Sequence, residues 1–132
     1  MERTRHKGTW QENRSFSPVV TTKGGRMVWA AGHGAPVDAD GNSLAGDFAA
    51  QTRESFRLLA ATLERAGATL DDMVTMTVFV IDSRYGTEFT EIRKEFFTDG
   101  YPASALITCA GFAQPEMMVE IQGIAVVDDE GD

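Results

Sequence analysis

The feature that most constrains this chain is a long amphipathic helix pattern followed directly by an alternating strand pattern. Asp47 is a candidate N-cap for the helix, and Gly67 is a candidate stop. Between them, small or apolar side chains recur at three- and four-residue spacing, at Thr52, Phe56, Leu59, Leu63 and Ala66. Along residues 74–80, apolar side chains then occupy every second position, at Val74, Met76, Val78 and Val80. The sequence therefore predicts one helix packed on one face of a sheet.

A hairpin and a second helix are predicted on either side of this pattern. Residues 19–22 and 27–31 are rich in β-prone side chains and flank the turn residues Lys23-Gly24-Gly25, which is typical of a hairpin. The second helix is predicted from about residue 87 to residue 97, before Gly100 and Pro102. Its apolar positions at helical spacing are Phe89, Ile92 or Arg93, Phe96 and Phe97.

The chain is expected to form a single domain, residues 1–132, with an α+β fold. Two strands close it, at about residues 103–110 and 117–127. Residues 1–15 are predicted to be a loose N-terminal segment or a short edge strand, and residues 128–132 an acidic tail. The element order β-β-α-β-α-β-β predicts a mixed sheet with both helices on one face.

Helices on one face leave the other face of the predicted sheet bare. A bare apolar face of that size usually marks a contact between subunits. Phe79 and the residues around Trp29 are candidates for this face. On this argument we expect a homo-oligomer.

Composition argues against several function classes. Acidic residues outnumber basic ones 20 to 12, a formal charge of −8, which disfavours nucleic acid and anionic membrane surfaces as partners. No stretch approaches the roughly 20 apolar residues of a membrane span, and the N-terminus is charged. Cys109 is the one cysteine, so a reducing cytoplasm fits. With two histidines as well, we expect neither a metal nor a cofactor, although carboxylates or a subunit interface could add ligands.

The central segment carries a specific resemblance. The run GDFAAQTRESFRLLAATLERAGATLDDMVTMTVFVID resembles the RidA (YjgF) family, whose members share an acidic N-cap, QTR, an amphipathic helix, a glycine turn, LDD and a TVF strand. Around it, FSPVV is similar to the family's YSxAV start, AAGH to its SGQ loop, and MVEIQGIAVV to its VEIEAIA strand. The resemblance covers about residues 16–127.

The resemblance implies a chorismate-mutase-like protomer assembled as a homotrimer, with the bare sheets packed inside. Small-molecule ligands would bind in three clefts between neighbouring subunits. The best-known members hydrolyse reactive 2-imino or 2-enamino acids to 2-keto acids and ammonium, without metal or organic cofactor.

This sequence departs from the family where the ligand is gripped. The family reads PARS before its final strands, and the arginine holds the substrate carboxylate in a two-pronged contact. Here the stretch reads PASA, with Ser104 in the place of the arginine. Phe16 replaces a tyrosine, and Thr90 stands near a common asparagine. We therefore expect a substrate other than the simple 2-imino acids.

Other candidate site residues are implied by the same resemblance. Glu120 matches the glutamate associated with the attacking water; the alternative is an ion-pair residue at a rim or interface. His33 takes the place of a glutamine and is a candidate for anion binding or proton transfer, or else for hydrogen bonding to the backbone. Backbone N–H groups near Gly32 and Cys109 are candidates for holding polar substrate atoms. The Cys109 thiol is interpreted as a buried apolar group rather than a nucleophile.

The residues and the resemblance leave three candidate functions. The first is cofactor-free hydrolysis, a deamination, of a reactive imine or enamine. The second is a non-catalytic trimeric module that binds a small molecule or a protein. The third, ribonuclease activity, is disfavoured by the charge of −8 and by the lack of a basic aromatic patch.

Overall fold

The computed structural model describes residues 1–129 and shows two helices, six strands and three short 3₁₀ segments. The strands are β1 (Glu2–His6), β2 (Val19–Lys23), β3 (Arg26–His33), β4 (Met73–Val80), β5 (Ala103–Thr108) and β6 (Val119–Val127). The helices are α1 (Phe48–Arg65) and α2 (Gly86–Arg93), and the 3₁₀ segments are Trp10–Arg14, Leu70–Asp72 and Ser83–Tyr85. The predicted α+β class is confirmed.

Four strands form one mixed sheet in the order β3-β6-β4-β5. Strand β6 is antiparallel to both β3 and β4, whereas β4 and β5 run parallel and are connected through α2. A helical crossover of this kind is what a parallel pair requires. Strands β1 and β2 form a separate antiparallel pair.

Helix α1 begins and ends where its sequence signals predict. The Asp47 carboxylate accepts a hydrogen bond from the backbone N–H of Ala50 at 3.0 Å, which satisfies one of the free donors of the first turn. Gly67 has a φ of 77°, a left-handed conformation that favours glycine and ends the helix. Phe56, Leu59 and Leu63 on the predicted stripe are fully buried.

The core lies between the helices and one face of the sheet, here called the helix face. Phe56 stacks on Phe96 at a centroid distance of 4.6 Å and on Phe89 at 5.7 Å. From the sheet, Met76 and Val78 are fully buried beneath them. The helix face therefore excludes water within a single protomer.

One predicted core position on β4 is wrong. Val74 is half-buried, and Met73 is fully buried in its place. The pairing of β4 with β6 shifts register between Met73 and Thr75. An irregularity of this kind breaks the period of two, so strict alternation starts only after it.

The predicted hairpin of β2 and β3 is also wrong, although both strands and the Gly24-Gly25 bend exist. Strand β2 pairs with β1 instead. Ser17, just before β2, bridges to Ala103 at the start of β5, and its N–H donates to the Pro102 carbonyl at 2.9 Å. Strand β2 therefore crosses the end of the sheet from β5 towards β3.

The N-terminal segment is structured rather than loose. Strand β1 confirms the short-strand alternative, and the segment Trp10–Arg14 forms a 3₁₀ turn. At the other end of the chain, Asp128 accepts a hydrogen bond from the N-terminal ammonium of Met1 at 2.7 Å. Residues 130–132 of the predicted acidic tail lie outside the described residues.

Two element boundaries differ from prediction in ways that affect the site. Helix α2 ends at Arg93 because the next three N–H groups bond three residues back, in tighter turns that still bring Phe96 against the core. Strand β3 extends through Gly32 to His33, which pairs with Ile121 after a register shift. His33 is thus a strand residue, not a loop residue.

The opposite face of the sheet, here called the open face, carries no helix in residues 1–129. It includes Trp29, Phe79, Ile107 and Glu120, which alternate with the buried positions of their strands. Trp29 is 71% exposed and Ile107 45% exposed. The same residues 1–129 contain no helix long and apolar enough to cross a bilayer.

Candidate functional site

A cleft of about 400 Å³ lies where the N-terminal segment meets α2 and β5. We call it the arginine cleft, for Arg14 and Arg93 in its lining. Three residues predicted for the site, Phe16, Thr90 and Ser104, also line it. The structure therefore brings together three of the positions at which this sequence differs from the family, whereas the fourth, His33, lies outside the cleft. Two other depressions, of about 460 and 390 Å³, lie against α1 and contain no predicted site residue.

Arg93 is the central group of the arginine cleft. Its side chain comes from the end of α2, and the residue is 1% exposed. Nη1 donates to the Ser104 hydroxyl at 2.8 Å, and Nε donates to the Ser15 hydroxyl at 3.0 Å. Nη2 donates to the Arg14 carbonyl at 3.2 Å. A guanidinium therefore stands beside the serine that occupies the expected arginine position.

The guanidinium of Arg93 is buried without a counter-charge. Its oxygen acceptors are neutral, and no carboxylate of residues 1–129 pairs with it. Burial lowers the pKa of the Arg93 guanidinium to about 10, so the group stays charged at neutral pH. The guanidinium carbon lies 5.1 Å from the ring centroid of Phe89 and 5.9 Å from that of Phe16, contacts that offset part of the desolvation cost.

Ser15 fixes the outer wall of the arginine cleft to α2. Its backbone is left-handed, with a φ of 60°, and its N–H donates to the Glu12 carbonyl at 3.0 Å. Its hydroxyl accepts from Arg93 and lies 2.6 Å from two carbonyls, those of Thr90 and Arg14, either of which can accept its one proton. The fold of residues 10–16 is thereby coupled to the arginine.

Aromatic rings form the mouth of the arginine cleft. Trp10 contacts Phe16 edge to face at a centroid distance of 5.7 Å. Trp10 is 66% exposed, whereas Phe16 is half-buried. The cleft thus combines a cationic floor with an apolar entrance, an arrangement common in small-molecule sites.

Glu120 lies on the open face, away from the arginine cleft. It pairs with Phe79 across β4, whereas Ser104 pairs with Met76 on the helix face. A Cβ at Gly32 would lie 2.8 Å from the Glu120 carboxyl carbon, so only glycine lets the carboxylate rest there. Among residues 1–129, the Glu120 carboxylate has no hydrogen-bond or ion-pair partner. Glu120 and Gly32, two candidate site residues, are therefore adjacent in the structure.

His33 faces α1. Its Nδ1 lies 2.7 Å from the Ala31 carbonyl, and its Nε2 lies 2.8 Å from the Thr62 hydroxyl. A carbonyl only accepts, so Nδ1 carries the proton and Nε2 accepts from Thr62 in the neutral ring. The contact with the Ala31 carbonyl corresponds to the second role expected for His33, hydrogen bonding to the backbone.

Cys109 lies just after β5 and is half-buried rather than buried. Its backbone N–H donates to the Val80 carbonyl at 3.0 Å, so within the protomer that N–H is already used. Its Sγ lies 3.7 Å from the Gly111 carbonyl. No group of three or more His, Cys, Asp or Glu side chains in the described chain is arranged to hold a metal ion.

Sequence reasoning missed Arg93 as a site residue. The position was ambiguous with Ile92 on the stripe of α2, and both residues are buried. The available signal was an arginine four residues after Phe89 on an otherwise aromatic stripe, since a charge on a buried helix face is rare and calls for a partner or a role.

The sequence and the fold have counterparts among known proteins. The sequence profile of a family described as Endoribonuclease L-PSP matches residues 10–127. A RutC family protein from Pyrococcus abyssi is 30% identical over 104 residues, which are 78% of this chain and 80% of that protein. The structure of YyfB from Yersinia pestis, of the conserved Rid protein family, superposes with a TM-score of 0.84 at 25% identity, covering 96% of this chain and 100% of that one. Rv2704 from Mycobacterium tuberculosis, a member of the YjgF/YER057c/UK114 family, has a TM-score of 0.68 at 30% identity with the same coverage.

Proposed function

The chain belongs to the RidA (YjgF) family, whose profile is described as Endoribonuclease L-PSP, and on this premise we propose that it hydrolyses a reactive imine or enamine. The products are a carbonyl compound and ammonium. The observation that carries the proposal is the Glu120 carboxylate, held against Gly32 on the open face with no partner among residues 1–129. A carboxylate placed in this way is free to act on a bound water.

The chemistry needs one proton acceptor and no cofactor. Water adds its oxygen to the protonated imine carbon while Glu120 takes one water proton. Glu120 then returns that proton to the nitrogen, and ammonia leaves as the hydroxyl becomes a carbonyl. The proton released from that hydroxyl converts ammonia to ammonium, so the reaction balances as imine cation plus water to carbonyl plus ammonium.

Assembly is part of the proposal. Glu120 and the arginine cleft lie on opposite faces of the sheet, so one protomer does not place them around one ligand. The open face exposes Trp29 and Met27 by 71% and 51%, which supports its burial against other copies. We propose a cytoplasmic homotrimer in which the small-molecule ligand binds between subunits, with the arginine cleft of one and Glu120 of another.

The test is ammonium release from 2-iminopropanoate and from a panel of larger cyclic and acyclic imines. We expect wild type to accelerate at least one panel member, and Glu120→Gln, which keeps the shape but loses the basic carboxylate, to reduce the rate by about 100-fold or more. Glu64→Gln, at an exposed position of α1, is the matched control and should keep full activity. If Glu120→Gln is as active as wild type and Glu64→Gln, Glu120 has no part in the mechanism.

A non-catalytic binding module is the second candidate, because the protomer separates Glu120 from the cleft. It predicts ligand binding with no ammonium release from any panel member. RNA cleavage that survives Glu120→Gln would instead favour ribonuclease activity, against which the charge of −8 argues.

A further inference from the structure

We propose that Arg93 binds a carboxylate group of the ligand, so that a guanidinium from α2 does what Ser104 cannot. The inference rests on the proposed function for the identity of the ligand, a small carboxylate-bearing imine or enamine with an apolar portion. It does not rest on that function for the presence of an anion site in the cleft. Four features of the arginine cleft carry it.

The first feature is an unused donor. A guanidinium has five N–H groups. Three donate to the oxygens of Ser15, Ser104 and Arg14, and a fourth, on Nη1, points to the Met76 sulfur at 3.8 Å. One N–H of Nη2 has no acceptor among residues 1–129. A carboxylate oxygen in the cleft would complete the set.

The second feature is the charge of the lining. The arginine cleft contains Arg14 and Arg93 and no acidic side chain, in a chain with 20 acidic and 12 basic residues. Five other arginines of residues 1–129 pair with carboxylates, as Arg53 does with Glu95 at 2.7 Å. A buried cation without a counter-charge is costly, and an anionic ligand removes that cost.

The third feature is a second cation at the rim. A Cβ built at Gly86 would lie 4.0 Å from Nη2 of Arg14, which places this guanidinium at the start of α2. Ser83 lies in the same part of the lining. An anion that enters the cleft thus meets Arg14 before it reaches Arg93.

The fourth feature is the apolar remainder of the lining. Phe16, Trp10 and Leu106 provide surface for the uncharged part of a ligand. A volume of about 400 Å³ is within the range of small-molecule pockets. The shape and chemistry suit a compact molecule with one carboxylate at the arginine end and an apolar group at the mouth.

Arg93 also has a structural role, because it holds the wall through Ser15 and Arg14. The experiment must therefore neutralise the guanidinium without removing it. Ser104→Asp does so, since it places a carboxylate at the hydroxyl that now lies 2.8 Å from Nη1. Thr108→Asp adds the same charge to an exposed position of the same strand and is the matched control.

The measurement is calorimetric titration with 2-oxobutanoate and with its neutral amide, 2-oxobutanamide, neither of which turns over. We expect wild type and Thr108→Asp to bind the acid about tenfold or more tightly than the amide, and Ser104→Asp to lose that preference. Arg93→Gln should lose it as well, with folding checked by circular dichroism. No preference in wild type, or a preference retained in Ser104→Asp, would overturn the inference.

The two proposals fail in distinguishable ways. Glu120→Gln should keep the preference for the acid while losing ammonium release. A protein that binds the acid selectively but hydrolyses no imine contradicts the proposed function and leaves the anion site standing. A protein that hydrolyses imines without preferring the acid contradicts the anion site alone.

Discussion

On the helix face of the sheet the Ser104 hydroxyl is bonded to Arg93 at 2.8 Å, whereas on the open face the Glu120 carboxylate has no partner among residues 1–129. The apolar side chains of the two faces also differ, in how far they are exposed. Phe56 of α1, which packs over the helix face, is fully buried, and Trp29 on the open face is 71% exposed. Apolar packing is therefore complete within one protomer on the helix face only.

This contrast shows which features of the molecule depend on one chain. The core and the arginine cleft are made by contacts within the protomer. The open face has an apolar surface and a free carboxylate that nothing in residues 1–129 covers. The following experiments test this division, from the largest expected effect to the smallest.

Truncation of the core should have the largest effect on protomer stability. We expect Phe56→Ala to lower the free energy of unfolding by about 3–5 kcal/mol, because it empties a site packed against Phe89 and Phe96. Chemical denaturation at a concentration where the chain is monomeric measures it. An equal loss for Trp29→Ala under those conditions would contradict the division between the faces.

A charge placed on the open face should weaken self-association rather than destabilise the protomer. We expect Trp29→Glu to weaken self-association by about 2–4 kcal/mol, since it removes a large aromatic anchor and buries a charge in the contact. Analytical ultracentrifugation of wild type and variant measures the loss. Ala61→Glu, which adds the same charge at an exposed position of α1, should leave the mass unchanged, and a monomeric wild type would refute the expectation.

Restoring the family's arginine at position 104 should lower the free energy of unfolding. Ser104→Arg would bring a second guanidinium against Arg93 and remove the hydroxyl acceptor of Nη1, so we expect a loss of about 1–3 kcal/mol in unfolding free energy. Ser104→Ala, which removes the acceptor without adding charge, should cost less. A variant Ser104→Arg that is more stable than wild type would mean that Arg93 moves away readily.

His33 should contribute to stability and not to turnover. We expect His33→Ala to cost about 1 kcal/mol, because it breaks the bonds to Ala31 and Thr62. Its kcat/KM on any imine substrate should stay within about twofold of wild type. A much larger kinetic loss at unchanged stability would restore the proton-transfer hypothesis.

The affinity of the arginine cleft for 2-oxobutanoate should show almost no change between pH 7 and 9. Burial lowers the pKa of Arg93 to about 10, so the cation is present below that pH and is lost as the pH rises through it. A bound carboxylate raises this pKa and moves the loss to higher pH. Titrations across pH 7–11 test it, with Tyr101 and Arg14 as the neighbouring titratable groups; a loss complete by pH 8 would exclude Arg93 as the binding group.

Local signals in the sequence were sufficient for α1, because a cap, a stripe and a stop lie within one helix. They were insufficient for β2, since a Gly-Gly bend does not determine whether the strands beside it pair. The same limit explains the site. Glu120 and Gly32 could each be assigned to the site by resemblance, but Arg93 lies on a different element from Ser104, which fills the family's arginine position. Only the three-dimensional packing of α2 against β5 shows that its guanidinium reaches Ser104.

The bonds from Arg93 to Ser15 and to Arg14 join residues 78 and 79 positions apart in the chain. Contacts of such long range form slowly, because a large loop must close first. During synthesis, residues 10–16 emerge long before Arg93, which joins them to α2. Helix α1 can dock on the sheet without them, so selective binding of a carboxylate would report the completion of folding and not merely the formation of the core.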